Sequence, residues 1–220
     1  MAKINANYRK LSAGYLFPEI GRRINSFQRQ HPKVKVHRLG IGNTTEPLNS
    51  TVIDGLLDGV NRLAEEDTYT GYGDEQGEKD LRQGLAHHYK RFEVSLDDDE
   101  FFISDGAKPD AGNIQSIFSA DCRVAVQDPA YPVYIDTNVI AGRSGSYNPE
   151  RGKYEGFIYM VCNRDNGFIP TPPEEDADLI YLCSPNNPTG AVATHSELKI
   201  IVDYARRRKA VIIFDAAYSA

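Results

Sequence analysis

From Glu100 onward, short apolar runs recur between helical or loop segments, and that alternation limits the fold more sharply than any other feature of the chain. Phe101–Ile103, Arg123–Gln127 and Leu179–Leu182 read as strands, and residues 110–118 as a helix. Residues 195–208 set Leu198, Ile201, Val202 and Ala205 at helical spacing and feed a final strand over Ala210–Phe214. Strand, helix and strand repeated in this order predict an α/β protein whose mostly parallel sheet is covered by helices on both faces. Residues 139–170 show no firm pattern beyond short strands around Phe157–Met160.

Upstream the pattern is different. The first 30 residues mix polar and aromatic side chains irregularly, with a short helix ending near Phe27. Such an arm cannot form its own core, so it is expected to lie against the main body or a partner subunit. Val34–Leu39 alternates like a strand and runs into Gly40-Ile-Gly42-Asn43. Val52, Leu56, Val60 and Leu63 share one face of a predicted helix. Asp67–Gly77 is a polar loop rich in Gly and Tyr, followed by a helix from about Glu78 to Phe92.

With 220 residues, 40% of them hydrophobic and 25% charged, the chain can bury a sizeable core. A net charge of −6 without a dense basic stripe argues against a nucleic-acid partner. The basic run Arg206–Lys209 closes a helix, where its charge suits the terminus. Cys122, Cys162 and Cys183 are odd in number and widely spaced, as expected of reduced thiols in a cytoplasmic protein. Neither they nor His87-His88 show metal-ligand spacing, and no metal is expected. There is no apolar signal-peptide core and no membrane-length apolar run, so no membrane partner is expected.

Several strands end in loops that could carry chemistry. Ser104-Asp-Gly-Ala-Lys108 opens a helix whose free amides could hold a phosphate, with Lys108 adding charge, although an ordinary helix cap explains it equally well. Tyr131, after the second of these strands, is either a packing residue or a platform for a ring. Ser184-Pro-Asn-Asn187-Pro-Thr-Gly190 is a rigid turn that presents a side-chain amide. Asp215 leaves the last strand at the edge where α/β proteins bind ligands. A carboxylate there calls for a cationic partner. A protonated pyridine nitrogen is one, and Tyr218 could donate to an oxygen on the same ring. A satisfied structural aspartate beside a helix cap is the alternative.

Taken together, these segments resemble the class I/II aminotransferases, the fold-type I enzymes that use pyridoxal 5'-phosphate. The resemblance rests on Tyr72-Gly73-x-x-x-Gly77 with Leu81-Arg82, then Ser104-Asp-Gly-Ala-Lys108, Asp128-Pro-Ala-Tyr-Pro132, Asn187-Pro-Thr-Gly190 and Asp215-Ala-Ala-Tyr218. Tyr15-Leu-Phe17 and Leu39-Gly-Ile-Gly42-Asn-Thr-Thr-Glu-Pro-Leu48 are similar to the LL-diaminopimelate aminotransferase subfamily within it.

The resemblance implies an N-terminal arm and part of a small domain over 1–35, and an incomplete cofactor-binding large domain over 36–220. It implies that Ala107 and Lys108 seat the cofactor phosphate, that Tyr131 stacks on the pyridine ring and that Asp215 pairs with the ring nitrogen. Asn187 and Tyr218 would contact the phenolic oxygen. Tyr72 would reach the phosphate bound by the neighbouring subunit of a homodimer. Tyr15 and Gly42 would line the substrate pocket, together with Lys108, Tyr131 and Asn187. The Schiff-base lysine is expected beyond residue 220, so the 220-residue polypeptide alone is expected to be inactive, at most a weak cofactor binder. The reaction implied for the parent enzyme moves an amino group between LL-diaminopimelate and 2-oxoglutarate in lysine synthesis. Another amino acid remains open as substrate. The expected location is the cytoplasm, or the plastid stroma for a plant parent.

Overall fold

A computed structural model describes residues 2–11, 16–37 and 46–219. They form two compact units, residues 1–13 with 104–220 and residues 14–103.

The first unit is built on a parallel sheet. Its strands are β1 (Val124–Asp128), β4 (Phe157–Val161), β5 (Leu179–Cys183) and β6 (Val211–Asp215), ordered β4-β1-β5-β6. The two central strands explain the continuous apolar runs: Val124, Ala125, Val126, Leu179 and Ile180 have no exposed surface. A strand buried on both faces has no polar side to alternate with. One face carries Val124, Val126, Tyr181 and Cys183 against α4 (Ala107–Asn113) and α5 (Pro132–Ile140). The other sets Ala125, Ile180 and Leu182 against Ile201, Tyr204 and Ala205 of α6 (His195–Arg208).

The α5 helix ends as the stretch with little pattern in the sequence begins, and that stretch holds a hairpin of β2 (Tyr147–Asn148) with β3 (Lys153–Tyr154) before β4. Proline at the first position of α5 costs no hydrogen bond there and presets the helical φ. The hairpin returns close to the chain it left, and a Cβ on Gly156 would lie 2.5 Å from the Arg143 carbonyl oxygen. The first part of the N-terminal arm lies on this unit, whereas the rest of the 30 residues expected to form it belongs to the second. Asn5 and Asn7 donate side-chain amides to the Ile140 carbonyl at 3.0 and 3.3 Å, and Tyr154 donates to the Lys10 carbonyl at 2.7 Å.

The second unit holds α1 (Leu16–Gln30), α2 (Ser50–Arg62) and α3 (Lys79–Lys90). Of two strands expected here, one does not form and the other is seen only in part. Residues 34–37 have no regular structure, and the rest of that segment, including Leu39, lies outside the described residues. Phe101–Ile103 joins no ladder; Ile103 makes one backbone bond, to Gln76 at 2.9 Å, and Phe102 is largely exposed. Alternating or apolar residues make a strand only where a neighbouring strand takes up their backbone groups. The apolar face predicted for α2 is present, but Val52, Leu56, Val60 and Leu63 are exposed.

Candidate active site

The carboxyl ends of β1, β5 and β6 bring the candidate residues of the first unit to one edge of the sheet. β5 and β6 run in register, so Cys183 lies opposite Asp215. Asp215 is half-buried, and each of its oxygens has a donor. The Tyr134 hydroxyl donates to Oδ2 at 2.5 Å, and the Ala217 backbone amide donates to Oδ1 at 3.0 Å. A carboxylate offers about four lone-pair sites, so capacity remains on both oxygens.

Asp128, at the end of β1, makes an instructive contrast. It is paired with Lys153, whose ammonium sits 4.7 Å from the centre of the Tyr159 ring. Asp215 has no such ion pair among the described residues.

The chain after β5 folds back on itself. Asn186 donates its backbone amide to the Ala191 carbonyl at 2.9 Å and its side-chain amide to the Thr189 hydroxyl at 2.9 Å. Gly190 donates to the Asn186 carbonyl at 2.7 Å with φ +72°, a conformation that favours glycine. The Ser184–Pro185 and Asn187–Pro188 peptide bonds in this turn are cis. The turn holds Asn187 where its amide nitrogen donates to the Tyr218 hydroxyl at 3.3 Å. Tyr218 itself is carried on a turn closed by the Ser219 amide bonding the Ala216 carbonyl at 3.0 Å. Asn187, Asp215 and Tyr218 are thus held at the same edge.

Tyr131 caps α5 at its N-terminus and meets Tyr134 edge-on, with ring centres 5.6 Å apart. Ala107 and Lys108 are exposed at the start of α4, which lies beside α5 and β6. The Ser104 hydroxyl fixes that entry by donating to Asp110 at 2.7 Å and accepting from the Gly106 amide at 3.2 Å. Tyr72 belongs to the other unit and is fully exposed. Its loop is anchored by Arg82, a buried residue that donates to the Gly77 and Asp98 carbonyls at 3.0 Å and to the Asp74 carboxylate at 2.8 Å. Tyr15 and Gly42 lie outside the described residues.

Tyr134 is the site residue that sequence reasoning missed. It sits one turn into α5, and its ring stacks on Tyr181 at 5.0 Å between centres and 23° between planes. Burial first, then the Asp215 carboxylate, pushes its phenol well above the ordinary tyrosine range. Burial likewise raises the Cys183 thiol beside it. Proline at 132, with Tyr134 and Asn138 one helical turn apart, was the available signal. Among the described residues no group of three His, Cys, Asp or Glu side chains could hold a metal. No helix among them is long and apolar enough to cross a membrane.

Residues 34–220 match the family described as aminotransferase class I and II. The chain belongs to that family. Over 99% of its length it is similar to the L,L-diaminopimelate aminotransferase from Chlamydomonas reinhardtii, with 45% identity and a TM-score of 0.89, and it covers 53% of that chain. It shares its fold with the alanine aminotransferase from Pyrococcus furiosus, at 19% identity and a TM-score of 0.79, over 98% of this chain and 52% of that one. The aspartate aminotransferase of Thermus thermophilus gives 19% identity and a TM-score of 0.80, over 98% and 53%. The chain therefore spans about half the length of these relatives. Its architecture is the large domain of a fold-type I, pyridoxal-phosphate-dependent transferase.

The donor set fits this family's cofactor. A protonated pyridine nitrogen would supply the cation that Asp215 lacks, and the Asn187–Tyr218 pair offers donors for a phenolic oxygen.

Proposed function

We propose that the protein containing this chain transfers an amino group between LL-diaminopimelate and 2-oxoglutarate, running biosynthetically from tetrahydrodipicolinate and glutamate toward lysine. The observation that carries this reading is the 45% identity with the Chlamydomonas enzyme over 99% of the chain, together with the Asp215, Asn187 and Tyr218 arrangement at the sheet edge. The protein is assigned to the cytoplasm and to a homodimer, with residues 1–35 as arm and part of a small domain.

Pyridoxal phosphate, when bound, supplies an electron sink for the substrate α-carbon. The chain's own residues create the conditions for that chemistry. Asp215 would pair with the ring nitrogen and hold its proton in place. Asn187 and Tyr218 would donate to the phenolic oxygen, and Tyr131 would cover the ring and exclude water from its face. Ala107 and Lys108 would hold the phosphate, joined by Tyr72 from the neighbouring subunit. Tyr15 and Gly42, outside the described residues, would line the substrate side, where a glycine lets the backbone come close.

The test is made on the functional source protein. Its intact mass is measured, and amino transfer to 2-oxoglutarate is followed with LL-diaminopimelate, aspartate and alanine as donors in turn. The proposal expects a chain near twice 24.5 kDa, a borohydride-reducible lysyl adduct and a clear preference for LL-diaminopimelate. Equal or better use of aspartate or alanine would overturn the substrate assignment. Absence of any adduct would overturn the reaction.

A further inference from the structure

We infer that Tyr134 is a positioning residue for the ring-nitrogen carboxylate, its hydroxyl fixing Asp215 in the orientation that meets the pyridine ring. This rests on the cofactor reading above and adds a residue to it.

Tyr134 has little freedom to move. Its ring is almost completely buried and stacked on Tyr181, which is equally buried. Asn138, one helical turn on, donates its side-chain amide to both the Tyr134 carbonyl at 2.8 Å and the Tyr181 hydroxyl at 3.2 Å. Arg143 donates to the Asn138 side-chain oxygen at 2.9 Å, so the amide cannot rotate away without losing that bond. Arg143 is anchored in turn on the Gln115 and Ser119 carbonyls, each at 2.9 Å. The Tyr134 carbonyl and ring face are therefore both held by contacts other than the one to Asp215.

What this scaffold presents is a single hydroxyl aimed at one carboxylate oxygen. The Ala217 amide takes the other oxygen. Two donors on two different oxygens fix the plane of the carboxylate as well as its position. A carboxylate on a short, rotatable side chain at a strand's end would otherwise sample several orientations, and ordering it would weaken binding of a ring cation. Because burial and the carboxylate both favour the neutral phenol, Tyr134 remains a donor over the ordinary pH range.

A tyrosine that merely fills space and finds an acceptor would make the same contact, so the test must read the ring nitrogen itself. The probes are pyridoxal phosphate and its 1-deaza analogue, in which carbon replaces that nitrogen. Dissociation constants for both are measured on the cofactor-free protein, on Tyr134→Phe, on Asp215→Ala and on the double variant. The unaltered protein is expected to prefer pyridoxal phosphate, and Asp215→Ala to abolish the preference. Tyr134→Phe keeps the stacked ring and should reduce the preference about tenfold, the effect of a hydrogen bond to a charged group. In the Asp215→Ala background it should have no further effect.

Tyr134→Phe weakening both probes equally, or neither, would overturn the inference and leave the cofactor reading standing. No Asp215-dependent preference in the unaltered protein would overturn both. A measurement on the unaltered chain guards against a variant that fails to fold. The hydrogen-bonded hydroxyl proton of Tyr134 should give a downfield NMR signal that moves with pyridoxal phosphate and moves less with the deaza analogue. An identical response to the two would contradict the inference.

Discussion

Arg143 shows how far a single buried side chain can organise this molecule. It is nearly inaccessible, yet its guanidinium finds acceptors in Gln115, Phe118, Ser119 and Asn138 without an anionic partner among the described residues. A planar fork of five donors can serve several carbonyls at once, as a lysine ammonium cannot. Arg143→Ala would take this donor from the buried Asn138 side-chain oxygen and the half-buried Phe118 carbonyl, and the expected loss is about 3 kcal/mol. Urea unfolding of the variant checks this; a loss under about 1 kcal/mol, the scale of an ordinary surface change, would show that water replaces the guanidinium at no cost. Nothing in the flanking Gly142-Arg143-Ser144 marked this residue in the sequence, because all its partners but Asn138 lie 24 to 28 positions away. Asp215 was legible for the opposite reason: a carboxylate ending an apolar strand is conspicuous without knowledge of its partners.

Among the elements, α6 was the easiest to read, and its boundaries carry their own causes. Thr194 caps the helix by accepting from the Glu197 amide, while the Glu197 carboxylate accepts from the Thr194 amide at 2.7 Å. At the far end Lys209 takes a left-handed conformation, φ 58°, after the basic run. Thr194→Ala should cost about 1 kcal/mol and Thr194→Ser much less, since serine keeps the accepting oxygen; thermal melts of the two variants side by side would decide it, and equal losses would contradict the cap. The α5 helix was illegible by comparison. Its Val133, Ile135, Thr137 and Val139 resemble a strand by composition, and a helix buried on more than one side shows no polar stripe. Phe101–Ile103 failed in reverse, being apolar without a neighbouring strand to pair with.

At the scale of the whole molecule, neutral phenols and thiols are built into the core of the sheet unit. Burial raises Tyr134, Tyr159 and Tyr181 above the ordinary 10.0, and Cys162 and Cys183 above 9.0. A group whose folded pKa lies above its unfolded value stabilises the fold fully below the unfolded value. That stabilisation is lost as pH rises toward the folded one. Stability should therefore fall progressively above pH 9 to 10, with these three of the 13 tyrosines ionising only as the chain unfolds. Phenolate absorbance followed together with circular dichroism would show this; complete ionisation of every tyrosine before any loss of structure would contradict it.

The same sheet presents Asp215, Asn187 and Tyr218 at one edge, and the decisive measurement is an equilibrium titration of the cofactor-free protein with pyridoxal phosphate, repeated on Asp215→Ala. Saturable binding at one site, weakened at least about tenfold by the loss of the carboxylate, is the predicted result. Binding that is absent, or that is indifferent to Asp215→Ala, would show that this edge of the sheet is not a pyridoxal-phosphate site.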